Sequence, residues 1–494
     1  MIKLKALLDA LPDKEIYGDV ECDINKLEYD SRKIEKDDLF FAIPGFEQDG
    51  HRYINSAIQK GALACVLEKR GDYHLKAQIK VKSTREALAF LSARYYDYPS
   101  SKMKVVGVTG TNGKTSTTYM LKSIWEKDEK KTGLIGTIAH FLGEKKIQAL
   151  NTTPESLDLQ RMFYQMLKEK VNSVAMEVSS HSLVLGRVKM IDFDAAIFTN
   201  LNPEHLDFHK DMESYKKAKG ILFQSLKDEG YAVINIDDPE WEYFYRITKG
   251  RKVTYSLKDK NADFYLKTYS PNTSGYKLKI STPAGNLDID LKLLGEANIY
   301  NALASTASAS VSGTSLEKIK NGLESFCGVK GRLEQVDIGQ NFRVIIDYAH
   351  TPFAFENLLQ TVKKMTKGKI IFIFGCGGDR DRTKRGPMGK ITSQLSDHII
   401  LTTDNPRSED PEKIIKEILK GVEDRSKVEV ILDRKEAIIS ALRKAENNDT
   451  LVLAGKGHED YQIVGNEKFY FNEKEIIEEE LKKKGYVQRC SQPL

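Results

Sequence analysis

The chain has 494 residues, 76 Lys and Arg against 71 Asp and Glu for a formal net charge of +5, and 40% hydrophobic and 30% charged residues. At about 150 residues per domain its length suggests three domains, with two or four also open. The globular composition excludes wholesale disorder, collagen-like repetition and a membrane-embedded body. Charges of both signs are interleaved along the chain, so the small positive balance reads as a mixed solvated surface and predicts no nucleic-acid partner.

The five cysteines (Cys22, Cys65, Cys327, Cys376 and Cys490) are scattered, with no C-x-x-C pair. They imply neither a disulfide framework nor a zinc site. Asp9, Asp13 and Glu15 fall where a signal peptide would need an apolar core. No apolar run reaches the roughly 20 residues that cross a bilayer. A cytoplasmic protein without a membrane partner is expected.

Residues 1–100 read as a small mixed α/β domain. Leu39 to Gly45 predicts a buried strand and turn, and Tyr53 to Ala62 a helix ended by Gly61. The Tyr-rich stretch ending at Ser101 reads as a helix exit and linker, because Pro99 disfavours helix at its predecessor. Residues 101–330 read as a central domain. Its strands are predicted at Met103 to Val108, Ser173 to Val178, Asp194 to Leu201 and Tyr231 to Asp237, with helical spacing between them. Short buried strands alternating with helices argue for a mostly parallel sheet covered on both faces. From about 253 to 293 the pattern becomes period-2 with Gly, Asn and Ser turns, which predicts an antiparallel appendage. Residues 331–494 repeat the strand–helix rhythm in a Rossmann-like third domain, with strands at Phe342 to Ala349, Lys369 to Cys376, His398 to Asp404, Lys427 to Asp433 and Thr450 to Gly457. The run EKEIIEEELKKKG near the end reads as a solvated helix. The expected fold class is therefore α/β with three domains.

The most informative loop is Gly107 to Thr115, GVTGTNGKT, between a strand and a helix. There backbone N–H groups and the helix dipole face phosphate oxygens, and glycines admit close approach. Lys114 can reach the β- and γ-phosphates, and the Thr115 hydroxyl can hold Mg²⁺. The strict G-x-x-x-x-G-K-[ST] spacing is not met, because position 108 is Val. An ATP or GTP site is predicted.

TGTNGKTS resembles the Mur ligase family, the ATP-dependent amide ligases that build the peptidoglycan stem peptide. Further motifs follow in order: EVSSHSLVLGR (Glu177 to Arg187), NLNPEHLDFH (Asn200 to His209), GRLE (Gly331 to Glu334), DYAHTP (Asp347 to Pro352), GCGGDRDRTKR (Gly375 to Arg385), DNPRSEDP (Asp404 to Pro411) and AGKGHEDYQ (Ala454 to Gln462). They cover nearly the whole chain and together match the members that add the third residue. The resemblance implies ATP and Mg²⁺ as cofactors, UDP-MurNAc-L-Ala-D-Glu and meso-diaminopimelate as substrates, and a monomer. L-lysine or another diamino acid remains an alternative addend. ATP would phosphorylate the D-Glu side-chain carboxylate, and an amine would then attack the acyl-phosphate.

Carried onto this chain, the ATP site would comprise Gly110, Thr111, Asn112, Gly113, Lys114, Thr115 and Ser116, with Asn298 and Asn301 on the adenine side. Arg332 would reach the γ-phosphate and Asp347 the ribose. Thr115, Glu177 and His205 would hold the metal, joined by Lys219 as a carbamate, and Lys114, Glu177, His205 and Lys219 are the catalytic set. By their own sequence, Glu177 and His205 read equally as a strand-end surface acid and a loop hydrogen-bonder. Lys219, one of several lysines on a helix, reads as a solvated cation. Ser31 would hold the uridine end, and Thr152, Thr153, Ser179 and Arg187 the peptide portion, although Thr-Thr-Pro-Glu by itself is a capping box.

Asp404, Asn405, Pro406 and Arg407 lie just past a predicted strand, where ligands of open α/β sheets gather. The Arg407 fork suits a carboxylate. Meso-diaminopimelate carries one at its far end and lysine does not, so Arg407 favours diaminopimelate. Arg380, Gly455 and Glu459 complete the matching set, with Glu459 suited to accept the distal amine.

Overall fold

A computed structural model describes residues 2–45, 48–272 and 275–486; Cys490 lies outside them. The chain forms two compact units. One runs up to Asn272 and takes in Tyr276–Leu291 and Ala297–Phe326, and the other takes in Lys292–Glu296 and the chain from Cys327 onward.

The first unit carries two major sheets. The smaller has the order Glu15–Gly18, Ala77–Lys80, Ala62–Leu67, Asp38–Phe41, Leu27–Glu28, parallel except at Glu15–Gly18. Alternation separates its two faces. Leu39 and Phe41 enter one core with Leu88 and Leu91, while Phe40 and Ala42 enter another with Ile54 and Ala57. That is the pattern of a strand buried on both sides. The helix Thr84–Tyr95 ends before Tyr98, which sits at φ 49°, and a 3₁₀ turn Pro99–Lys102 follows. The expected linker is instead packed: Pro99 and Ser100 are buried, and the Ser100 hydroxyl accepts a hydrogen bond from Asp192 N.

The larger sheet has eleven strands. Thr132–Ile135, Ser173–Glu177, Lys104–Thr109, Ala195–Phe198, Tyr231–Asn235 and Arg251–Ser256 lie side by side and parallel. A hairpin absent from the sequence expectation, Ala139–Leu142 with Lys145–Gln148, extends one edge through a turn at Gly143 (φ 69°). At the other edge Phe264–Pro271 begins parallel to Arg251–Ser256, then pairs antiparallel with Tyr276–Thr282 and onward to Gly285–Leu291. The antiparallel segment is therefore continuous with the main sheet. Leu287, Ile289 and Leu291 alternate into the core, as period 2 requires.

The second unit is a six-stranded sheet ordered Glu334–Gln335, Arg343–Asp347, Thr450–Ala454, Ile370–Phe374, His398–Leu401, Val428–Val430, parallel except at its first strand. Phe372 and Phe374 face one core, Ile371 and Ile373 the other. The last described helix, Glu473–Lys483, departs from the solvated reading. Ile477 and Leu481, one turn apart, are fully buried, and Glu473 makes a buried ion pair with Arg434 at 2.8 Å. Its many charges lie on the other face and mask the apolar stripe.

Candidate active site

In both units parallel strands deliver several of the predicted residues at their C-terminal ends, Gly110 and Glu177 in the first and Asp347, Asp404 and Gly455 in the second, the end at which open α/β sheets bind ligands. After Lys104–Thr109 the chain turns through Gly110 (φ 145°) and Gly113 (φ 88°) into the helix Lys114–Lys127. Both glycines are required by space as well as by φ. A Cβ on Gly110 would stand 1.8 Å from Thr199 Oγ1, and one on Gly113 would stand 2.5 Å from Asn301 Oδ1. The loop is clamped by the segment after Ala195–Phe198. Thr111 N donates to Asn200 O (2.8 Å), Asn112 N to Asn200 Oδ1 (2.9 Å), and Thr199 Oγ1 to Asn112 O (2.6 Å). The N–H groups at the start of the helix, through Ser116, point out of its N-terminal end, an arrangement that suits phosphate oxygens. Lys114 Nζ donates to the carbonyls of Gly110 (2.9 Å) and Thr111 (2.8 Å).

Asn298 and Asn301 are buried behind the loop. Asn301 Nδ2 donates to Asn298 Oδ1 (3.1 Å), and Thr117 Oγ1 donates to Asn301 Oδ1 (3.4 Å).

Thr115 and Glu177 come together, both buried, with Thr115 Oγ1 donating to Glu177 Oε2 at 2.9 Å. Glu177 is no surface acid: it is 0% exposed, and it also accepts from Thr137 N (2.8 Å) and Thr137 Oγ1 (3.0 Å). His205 stands at φ 57° before the short helix Leu206–His209, its ring 4.8 Å from that of His181. Burial chiefly lowers its pKa, against Glu204 and with help from Lys114 and Lys219. The reading of Lys219 as a solvated cation is wrong. On the helix Met212–Gln224 it is 1% exposed, its Nζ donates to Gly110 O at 2.9 Å, and it lies 4.3 Å from the Tyr215 ring centre. Burial, then the charge of Lys114, holds its pKa well below the ordinary lysine value, which favours a neutral, nucleophilic amine.

Among the described residues no group of three or more His, Cys, Asp or Glu side chains forms a protein-only metal cage. The paired oxygens of Thr115 and Glu177 suit a hard divalent ion that takes its other ligands from water and substrate phosphates.

The predicted peptide-binding residues adjoin this pair. Thr153 Oγ1 donates to Glu177 O (2.9 Å) and accepts from Ser179 N (3.2 Å), and the Thr152 and Thr137 hydroxyls are 3.0 Å apart. The capping box does not form, because the helix Ser156–Lys168 starts after Glu155 with no side-chain cap bond. Ser179 instead caps Ser180–Val184. Arg187 donates to Thr153 O (3.1 Å) and to Glu155 Oε1 (3.0 Å), which Arg85 also reaches at 2.9 Å. Ser31 opens a 3₁₀ turn, Ser31–Lys33, capped by the Asp30 carboxylate.

In the second unit Asp404, Asn405 and Pro406 are buried, and Arg407 (φ 50°) donates through Nη1 to Gly378 O at 2.8 Å. Gly455 (φ 109°) leaves no room for a Cβ, which would sit 2.7 Å from Asp404 Oδ2. Glu459 Oε2 accepts from Asn405 Nδ2 at 2.8 Å. Arg380 is exposed and donates to Asp379 O at 3.1 Å. The Arg332 guanidinium lies 4.8 Å from the Tyr348 ring centre, and Asp347 accepts from Leu333 N and Ala349 N, each at 2.7 Å.

Several residues of this architecture received no role from the sequence, although Asn200, Arg385 and Lys456 stand in its motifs. Thr137 is brought in by tertiary pairing from a loop without a local signature. Arg385 is fully buried, bonded to Glu409 through both Nη atoms and to Glu417 at 2.7 Å, and it holds the Glu409 carboxyl down at about 2. Lys456 is also fully buried; its place between Gly455 and Gly457 was the available signal.

A strand, phosphate loop and helix beside a buried hydroxyl–carboxylate pair define an α/β enzyme of the nucleotide-dependent class. Three family models account for most of the chain: "Mur ligase family, catalytic domain" matches residues 23–96, "Mur ligase middle domain" 108–309 and "Mur ligase, glutamate ligase domain" 331–457. The UDP-N-acetylmuramoyl-L-alanyl-D-glutamate--2,6-diaminopimelate ligase 1 of Clostridium acetobutylicum is 45% identical over 484 residues, covering 97% of this chain and 99% of its own. The ligase of that name from Clostridioides difficile is 46% identical over 488 residues, 98% of this chain and 100% of its own. The chain belongs to the Mur ligase family. A solved UDP-N-acetylmuramoyl-L-alanyl-D-glutamate--2,6-diaminopimelate ligase superposes with a TM-score of 0.71 at 28% identity, over 98% of this chain and 99% of that one. MurF from Acinetobacter baumannii shares the fold, with a TM-score of 0.67 at 21% identity over 92% and 95%. Among the described residues no helix is long and apolar enough to cross a membrane.

Proposed function

We propose that the protein is the ATP-dependent ligase that joins meso-diaminopimelate to the D-Glu side-chain carboxylate of UDP-MurNAc-L-Ala-D-Glu. The observation that carries this reading is its 43–47% identity, over nearly the whole chain, to relatives named for that ligation. Residues 1–100 bind the uridine end through Ser31, residues 101–330 the nucleotide phosphates, and residues 331–494 the incoming amino acid. The enzyme works as a cytoplasmic monomer on small molecules, with no nucleic-acid or membrane partner.

The chemistry has two steps. A carboxylate oxygen of the substrate attacks the γ-phosphorus and ADP leaves; the amine nitrogen then attacks the acyl carbon, phosphate leaves, and the amine gives up a proton. Lys114 and the N–H groups of the helix bind phosphate oxygens and stabilise the charge that spreads over them during transfer. Asn298 and Asn301 support the loop beneath the nucleotide. Thr152, Thr153, Ser179 and Arg187 orient the peptide carboxylate. Thr115 and Glu177, with His205 and Lys219, would hold Mg²⁺, which neutralises charge between nucleotide and carboxylate when bound. The burial of Lys219, which favours its neutral amine, supports its role as a carbamate: its nitrogen attacks CO₂, a proton is released to water, and an anionic oxygen ligand replaces the amine. Asp404, Asn405, Pro406, Gly455 and Glu459 shape the amino-acid pocket, with Arg407 and Arg380 facing the distal carboxylate.

The test is a product-forming assay containing ATP, Mg²⁺, the UDP-dipeptide and, in parallel, diaminopimelate isomers or L-lysine. Preferential incorporation of the meso isomer is expected. Phosphate release without amino-acid incorporation, or preference for lysine, would overturn the reading.

A further inference from the structure

Lys456 stands in the AGKGHEDYQ motif, and the proposed mechanism gives it no role. It is 0% exposed. Its Nζ donates to Asn405 Oδ1 at 3.2 Å and pairs with Glu459 Oε2 at 3.4 Å, with the Tyr461 ring centre 5.6 Å away. Asn405 is thereby fully oriented. Its Oδ1 also accepts from Ile463 N at 3.0 Å, so its Nδ2 must face Glu459, to which it donates at 2.8 Å. Lys456 and Asn405 both converge on Oε2 of Glu459, which directs the carboxylate's remaining capacity into the pocket.

A buried ion pair is a poor way to stabilise a fold. Removing two charges from water costs several kcal/mol per ion, and apolar residues of similar volume often serve as well or better. Lys456 therefore calls for an explanation in terms of the pocket. On the assignment above, two carboxylates, Asp404 and Glu459, face three cations, Lys456, Arg407 and Arg380. Such a pocket gives no net attraction to a bare ammonium. It suits an end group that carries an ammonium and a carboxylate together. Without Lys456 one positive charge is lost, and a side chain ending in an ammonium alone would gain.

We propose that Lys456 is a positioning and specificity-determining residue: by fixing Glu459 and Asn405 and cancelling one negative charge, it makes the pocket prefer a zwitterionic distal end over a simple amine. This inference rests on the assignment of the pocket to a diamino acid, and the experiment separates the two. The full-length Lys456→Met, Lys456→Gln and Lys456→Arg variants are compared with the parent for kcat and KM with meso-diaminopimelate, L-lysine and ATP, with thermal melts alongside. A unit charge at pocket distances predicts that the diaminopimelate-to-lysine ratio of kcat/KM falls on the order of tenfold in the Met and Gln variants. The loss should reside in the KM for diaminopimelate, with the KM for ATP unchanged, and the Arg variant should keep the ratio. An equal loss for both amines, a parallel rise in the KM for ATP, or failure of both neutral variants to fold would assign Lys456 a structural role and overturn the inference. If the parent incorporates neither amine, the assignment of the pocket itself fails.

Discussion

Gly110→Ala tests the link between the fold of the phosphate loop and nucleotide binding. The residue sits at φ 145°, and its Cβ would lie 1.8 Å from Thr199 Oγ1, 3.0 Å from Asn200 N and 3.1 Å from Asn200 O. All three atoms belong to the clamp that holds the loop. Relief requires Thr199 to swing away, losing its 2.6 Å bond to Asn112 O, a loss of about 1 kcal/mol. Backbone strain adds about 1–3 kcal/mol, and residual overpacking a further ~1 kcal/mol, so the total is about 3–5 kcal/mol. Gly285 separates the terms. It has a similar φ of 121°, but a Cβ there meets nothing within 4 Å, so Gly285→Ala carries the strain alone, about 1–3 kcal/mol. Denaturant midpoints and steady-state KM values for ATP and for the UDP-dipeptide are measured on both variants. Gly110→Ala should lose more stability than Gly285→Ala and should raise the KM for ATP by at least tenfold, whereas Gly285→Ala leaves that KM unchanged. Matching stability and matching ATP kinetics in the two variants would refute the clamp.

Other consequences follow from the same geometry. Arg407→Ala should raise the KM for diaminopimelate by the loss of a charge-assisted contact, on the order of 2–4 kcal/mol, with little effect on the KM for ATP; equal effects on both would assign Arg407 to folding alone. Lys219→Ala should abolish turnover, and added short carboxylic acids should restore part of it by supplying the missing anionic oxygen; activity that survives without them would exclude the carbamate. Glu409 is held at about 2, chiefly by its bonds to Arg385 and below the ordinary 4.5. Its contribution to stability is therefore complete above pH ~4.5 and is lost as the pH falls toward 2. Glu409→Gln should flatten the acid limb of the stability profile in that window, and an unchanged limb would show that another carboxylate governs it.

The sequence by itself determined most of the parallel strands of both large sheets, because buried parallel strands are unbroken apolar runs of the kind seen at Lys104–Thr109 and Ile370–Phe374. It also determined the phosphate loop, whose glycines and lysine are contiguous, and the family, whose motifs recur in order. Where its reading failed, the local pattern was ambiguous. The charges of the helix Glu473–Lys483 hid Ile477 and Leu481, and the hairpin Ala139–Leu142 with Lys145–Gln148 is held by its place on a sheet edge. Only the tertiary structure decided the environments. Lys219 looks like any other lysine of its helix and Lys456 has only its flanking glycines to mark it, yet one is buried beside Gly110 and Tyr215 and the other against Glu459 and Asn405. A side chain's charge state and reach are set by what surrounds it in space. Those surroundings come from segments up to 109 residues apart, a separation that no local pattern encodes.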